Sequence, residues 1–212
     1  IRTKKNYFDE TAATFMDFTV AQKGNTRFMY VLPYAKNEAL FEYTLFSKEL
    51  LPYDHYKSEI EKYLKDKNIT DYEIIEKEQG SIPMTSYKFW KNNSKNIIHI
   101  GTAGGWSKAS TGFTFKNTTN KTVQLIKHIQ EGKSLTKFHK VKKFWLYDLL
   151  LLDILSQQNE LGASIFGKMF QRNHPNQILK FLDEETSFLE DLKIQLKMPI
   201  RLFINALLKR IF

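Results

Sequence analysis

The sequence predicts an α+β fold, and three features carry that prediction. Apolar and polar residues alternate in short runs through the amino-terminal part, a compact apolar run enters a glycine-rich turn near the middle, and helical spacing continues almost unbroken from Leu135 onward. With 212 residues the chain is long enough to bury a sizeable core.

The runs Phe15–Val20, Arg27–Leu32 and Leu40–Phe46 read as strands of an antiparallel sheet. Gly24-Asn25 is a turn signal that makes the first pair a hairpin, and Pro33 is expected to end the second strand. Over Tyr53–Lys67 the period changes: Tyr56, Ile60, Tyr63 and Leu64 fall on one helical face, with Asp54 as candidate N-cap. Tyr72–Lys77 and Tyr87–Trp90 read as further strands, separated by a turn at Gly80-Ser81-Ile82-Pro83-Met84. Asn96–Ile100 reads as a strand that enters Gly101-Thr102-Ala103-Gly104-Gly105, with a helix from about Thr119 to Glu131. Helices are then expected over Lys137–Gln157, Gly162–Gln171, Pro175–Phe181, Ser187–Lys193 and Pro199–Phe212. This divides the chain into a sheet at 1–95, a strand–glycine loop–helix unit at 96–132, and a helical region at 133–212.

Composition excludes several classes. There is no cysteine, so neither a disulfide framework nor a thiolate metal site can form, which fits a cytoplasmic protein. The five histidines show no metal-ligand spacing, and no Gly-x-Ser-x-Gly elbow supports a hydrolase. The net charge of +9 is spread through every segment without a nucleic-acid-binding motif, and an anionic membrane surface suits it better than nucleic acid. The start is polar with no secretory signal, and it is Ile1, which reads as part of a longer gene product. The apolar run Phe144–Leu155 is too short to span a bilayer and carries Asp148 and Asp153. The segment Leu196–Phe212, apolar with interspersed Lys197, Arg201, Lys209 and Arg210, fits either a membrane surface or a terminal helix docked on the domain.

Two places carry chemistry. Glycines at 101, 104, 105 and 112 allow a backbone to approach a flat ring or a phosphate, and the following helix start favours negative charge. A tight connection between elements uses the same residues. Glu42 lies in an otherwise apolar strand between Phe41 and Tyr43. Facing an apolar cavity it would hold a proton and donate it to an alkene; on the outer face of an amphipathic strand it would simply meet water.

These segments resemble the lycopene cyclase family, bacterial lycopene β-cyclases in particular. The stretch Ile97–Phe115 looks like the family's second flavin-contacting motif, where a returning strand of a hydroxylase-type FAD domain ends in a loop beside the ring. Ala109 stands where the family usually has proline, and Thr102 where related flavoproteins have aspartate. The resemblance implies flavin contacts at Gly101, Thr102, Ala103, Gly104, Gly105, Thr111 and Gly112. Phe28–Phe46 is similar to the substrate-domain core, an aromatic strand ending in Leu-Pro followed by a strand bearing an acid and a threonine. Here that acid is Glu42, with Tyr43 replacing a second acid and Thr44 retained. Glu42 thereby inherits the general acid role. Glu78, Gly80 and Pro83 match a family turn near flavin and substrate. Phe181–Thr186 resembles the acid motif only by spelling and reads as a surface helix junction. The resemblance covers nearly the whole chain but includes no amino-terminal Rossmann segment for the nucleotide. It implies redox-neutral cyclisation of lycopene or a related acyclic carotene with reduced FAD, NAD(P)H as reductant, no metal, and peripheral membrane contact. Tyr43, Glu78 and Pro83 are the substrate contacts that follow from it; Trp90 and Trp106, read from the residues alone, could line a polyene tunnel and steady a cation through their π faces or belong to an ordinary aromatic core. A flavin-dependent monooxygenase or reductase of a polyprenoid, and a non-catalytic carotenoid-binding module, are the rival expectations.

Overall fold

A computed structural model describes residues 1–211 and contains both strands and helices, in two compact units. The first comprises Ile1–Ser81 and Gln158–Gly167; the second comprises Ile82–Gln157 and Lys168–Phe212.

The first unit holds one antiparallel sheet built from β1 (Arg2–Thr3), β2 (Thr14–Asp17), β3 (Arg27–Ala35), β4 (Glu38–Leu45) and β5 (Tyr72–Glu73), in the order β2-β3-β4-β1-β5. The hairpin β2–β3 forms as its turn residues predict. Contrary to expectation, Pro33 does not end β3. The N–H of its partner Ala39 turns away to the carbonyl of Ile1, so Pro33 and Ala39 form a non-hydrogen-bonded pair. The proline nitrogen therefore faces the side that β2, whose last pairing is Thr14 with Val31, has already left. A bulge follows between Pro33 and Ala35, and the chain turns back at Lys36-Asn37.

The helix α1 (Tyr53–Asp66) lays the predicted face, Tyr56, Ile60 and Tyr63, onto Met29, Val31, Ala39, Tyr43, Phe41 and Leu45 of the sheet. Its N-cap is Pro52 rather than Asp54, which lies in the first turn, where a negative charge complements the helix dipole. On the opposite face of the sheet, the rings of Phe18, Phe28, Phe46 and Phe166 form a cluster. Asn159 fastens that side: its carboxamide accepts from the Thr26 N–H at 2.8 Å and donates to the Phe46 carbonyl at 2.9 Å.

The second unit is helical: α2 (Phe115–Gln130), α3 (Lys143–Gln157), the end of α4 (Gly162–Arg172), α5 (Pro175–Leu182), α6 (Phe188–Gln195) and α7 (Ile200–Ile211). α3 is buried along most of its length, and α7 packs on it. The junction before α6 is a capping box in which the Ser187 hydroxyl and the Glu190 carboxylate each accept from the other's backbone N–H.

Three expected strands are corrected. Tyr72–Lys77 pairs only at Tyr72–Glu73, Tyr87–Trp90 contributes instead to a 3-10 turn over Phe89–Asn92, and Asn96–Ile100 opens on a bend and joins no ladder. Local bonds satisfy that last segment, from Ser94 N–H to the Ile97 carbonyl and from His99 N–H to Asn93 Oδ1. A strand exists only where another backbone completes its ladder, and none does so here. Two helix starts also move: α2 begins earlier, at Phe115, and Leu135–Lys137 is a 3-10 turn separated from α3. No helix among the described residues is long and apolar enough to cross a membrane.

Candidate functional site

The pleat of β4 decides where its acid points. Ala39, Phe41 and Tyr43 face the α1 core, so Leu40, Glu42 and Thr44 lie on the other side. Glu42 is exposed, opposite Tyr30 across the ladder, and its Oε1 accepts from the Thr44 hydroxyl at 2.7 Å. The acid-x-Thr spelling thus has a local purpose, because residues two apart share a strand face and the hydroxyl orients the carboxylate. Around the acid the surface is aromatic and apolar. Phe15 lies 5.3 Å from the Tyr30 ring, and Leu32, 44% exposed, continues the same face beside Leu40. Burial, and secondarily the Glu42 charge, push the Tyr30 hydroxyl well above its usual range, so it remains a proton-bearing donor.

Glu42 is thus open to solvent, and Tyr43 is not its neighbour on the face. Tyr43 is buried in the core, where its hydroxyl accepts from the Arg27 guanidinium at 3.2 Å. Glu78 is exposed in a segment without regular structure.

In the second unit the glycine loop begins as a 3-10 turn over Gly101–Gly104 and ends at Thr114, the N-cap of α2. A Cβ on Gly104 would come within 2.1 Å of the His99 carbonyl oxygen. Gly112 has φ +74°, and a Cβ there would lie 2.9 Å from Ile82 Cγ2. These two glycines therefore serve the protein's own close packing, while the Cβ direction of Gly101 is open. Thr102 and Ala103 are exposed beside it. The Thr102 hydroxyl is 3.1 Å from that of Ser107, which accepts in turn from the Thr114 hydroxyl at 2.7 Å. Thr111 shapes the second bend, its hydroxyl accepting from the Phe113 N–H at 3.3 Å. Thr114 makes no side-chain cap bond to α2, so the first amides of that helix are available to an anionic or electron-rich group.

Sequence reasoning missed what anchors this loop. Lys108 is buried and its Nζ lies 2.8 Å from Asp148 Oδ1 on α3, which also accepts from the Ser110 hydroxyl at 2.6 Å. Desolvation raises the Asp148 carboxyl above its ordinary range, against the opposing pull of Lys108 and Ser110. Glu184, at φ +62°, places its carboxylate 3.7 Å from Lys108. The segment Phe181–Thr186 is therefore more than a surface junction: Glu184 is half-buried, and Thr186 is buried, donating to Asp191 at 2.5 Å. Asp148 within the apolar run of α3 was the available signal, since an acid there requires a buried partner.

The loop borders a cavity of about 570 Å³, lined among others by Pro83, Trp90, Trp106, Lys121 and His139. Trp90 stacks on His139 with ring centroids 3.8 Å apart. Desolvation, helped by Lys121, lowers the His139 imidazole to about 4, so it is neutral at physiological pH. The structure thus gathers Pro83, Trp90, Trp106 and the glycine loop in one unit, while Glu42, Tyr43 and Glu78 belong to the other. Among the described residues no cluster of acids and histidines could hold a metal ion.

The family model described as lycopene cyclase protein matches residues 1–208. Comparison with curated proteins and with solved structures gives no match.

Proposed function

Because the chain belongs to the lycopene cyclase family, we propose that it takes part in lycopene β-cyclisation, with Glu42 as the general acid. The observation that carries this reading is the Glu42–Thr44 pair on an open aromatic face of the sheet, within a chain matched by the family almost throughout. Proton transfer to an alkene needs a carboxyl held in its neutral form, which a water-free surrounding favours. Glu42 is exposed, and a polyene lying along Leu32, Tyr30, Phe15 and Leu40 would displace the water beside it. The substrate itself then supplies the desolvation that holds the proton on the carboxyl until it passes to the terminal double bond. Attack of the neighbouring alkene on the resulting cation closes the ring, and loss of a proton restores neutrality, so atoms and electrons balance without net oxidation. Thr44 holds Oε1, and Tyr30, paired with Glu42 across the ladder, adds an aromatic ring to the surroundings of the positive charge.

The loop at 101–112 suits the edge of a flavin: the Cβ direction of Gly101 is open, Thr102 and Ala103 are exposed, and the start of α2 is uncapped. Reduced FAD, maintained by NAD(P)H, would supply negative charge that stabilises a carbocation. The Lys108–Asp148 pair holds the loop in shape. The carotene substrate dissolves in lipid, so contact with a membrane surface belongs to this reading. The test is anaerobic incubation of the protein with lycopene in vesicles, reduced FAD and NADPH, with pigments separated by chromatography. Appearance of β-ring carotenoids supports the reading. Unchanged lycopene or a hydrogenated product rejects it, and an oxygenated product in a parallel incubation in air favours a polyprenoid oxygenase.

A further inference from the structure

The cavity of the second unit carries more positive charge than its own acids neutralise. Each of the five acids along it is already engaged: Glu131 with Lys133, Asp148 and Glu184 with Lys108, and Asp183 and Glu185 with Lys116. Lys121, Lys127, Lys140 and Lys142 line the same cavity and make no ion pair among the described residues.

These cations act on one another. Lys121 is half-buried on α2, with Nζ 6.0 Å from the centre of the Trp106 ring. Desolvation lowers its ammonium below the ordinary range; Glu184 opposes that shift and Lys142 adds to it. Lys121 in turn is the second cause, after desolvation, of the low His139 imidazole. Like charges gathered in a cavity focus a positive potential, and each is destabilised by the others until an anion arrives. The rest of the wall is aromatic, with the Trp90–His139 stack, Trp106 and Trp145. Trp145 keeps a buried indole N–H that meets no acceptor among the described residues. Several unpaired lysines suit a polyvalent anion better than a carboxylate, and lysine meets phosphate as a point charge. A cavity of about 570 Å³ has room for such a group with a flat ring beside it.

We propose that this cavity is a binding site for a diphosphate group, free or carried by a nucleoside. Neither Glu42 nor a flavin enters the argument, so the inference holds whether or not the cyclase reading does. All three tryptophans line the cavity, so the full chain is titrated with pyrophosphate and with ADP while their fluorescence is followed. Both should change it saturably, and bound diphosphate should raise the His139 midpoint above about 4 in NMR titration. Lys121→Met should weaken binding about ten- to a hundredfold, the effect of a lost charged partner. Lys142→Gln, on an exposed lysine, should weaken it roughly two- to fivefold. Glu185→Gln removes an exposed acid and should tighten binding by a similar factor, an outcome that misfolding cannot imitate. Lys193→Gln, exposed on α6 away from the cavity lining, should bind as wild type does. ADP binding tighter than pyrophosphate assigns the nucleoside-borne group, and ADP binding no tighter assigns the free one. The proposal is overturned if neither compound acts at millimolar concentration, or if sodium chloride of equal ionic strength reproduces the response. Equal weakening by Lys193→Gln and Lys121→Met would also overturn it. So would displacement of pyrophosphate by riboflavin, which carries no phosphate.

Discussion

Replacing Lys108 by Met retains the apolar stem and removes only the ammonium, which makes it the sharpest probe of the glycine loop. Lys108 and Asp148 have side chains 2% and 8% exposed, with 2.8 Å between Nζ and Oδ1. Breaking such a pair costs about 3–5 kcal/mol when the surviving charge stays ionised. Asp148 retains the Ser110 hydroxyl and has an escape, because burial already raises its carboxyl and it can bind a proton. The expected loss at neutral pH is therefore the lower value, about 3 kcal/mol. The sign of the pH dependence follows. An acid whose folded pKa lies above its unfolded value penalises folding above the unfolded pKa, and the penalty vanishes as pH falls below it. The variant should thus approach wild-type stability in acid. Urea unfolding followed by tryptophan fluorescence isolates the effect, since all three tryptophans, Trp90, Trp106 and Trp145, belong to the second unit. Adding Asp148→Asn to the variant should recover most of the loss. A single variant within about 0.5 kcal/mol of wild type, a change typical of an ordinary surface position, would refute the anchoring role.

Further outcomes follow from the same geometry. Gly104→Ala must displace backbone, because the new Cβ meets the His99 carbonyl at 2.1 Å; a loss of roughly 1–3 kcal/mol is expected in the same urea assay. His139 should titrate at about 4 by NMR, while the unfolded chain takes up its proton near the ordinary value of 6.5. Its contribution is therefore fully present above pH 6.5 and is lost as pH falls toward 4, and His139→Gln should flatten that part of the stability profile. Glu42 is exposed, so Glu42→Gln should leave the unfolding midpoint within the range of a surface change, about 0.5 kcal/mol, when followed by circular dichroism.

The sheet and α1 were legible because their periods are set by local geometry, and Tyr56, Ile60 and Tyr63 could share a face only in a helix. The strand expected at 72–77 shrank to its first two residues and those expected at 87–90 and 96–100 failed, because β-rich composition states what a segment tolerates, whereas pairing depends on residues elsewhere. The orientation of Glu42 was ambiguous in sequence, since both parities of β4 carry apolar residues: Ala39, Phe41, Tyr43 and Leu45 on one, Leu40 and Phe46 on the other. The position of Tyr43 in the core settles that parity. In the loop, the glycines were visible but their reasons were not. The neighbours of Gly104 and Gly112 are His99 and Ile82, and only the fold brings Ile82 there. Asp148 signalled a buried partner, yet nothing local identifies Lys108 as that partner.

The central claim is proton transfer from Glu42 to an alkene, and solvent isotope tests it most directly. The complete gene and its Glu42→Gln variant are expressed in lycopene-accumulating bacteria, and membranes are then assayed with lycopene in deuterated water. Carotenoid products are read by mass spectrometry. The wild type should form β-rings carrying one solvent deuteron for each ring closed, and the variant should leave lycopene unchanged. Rings formed at comparable rate by the variant, or rings formed by wild type without deuterium, would contradict the assignment of Glu42 as the acid.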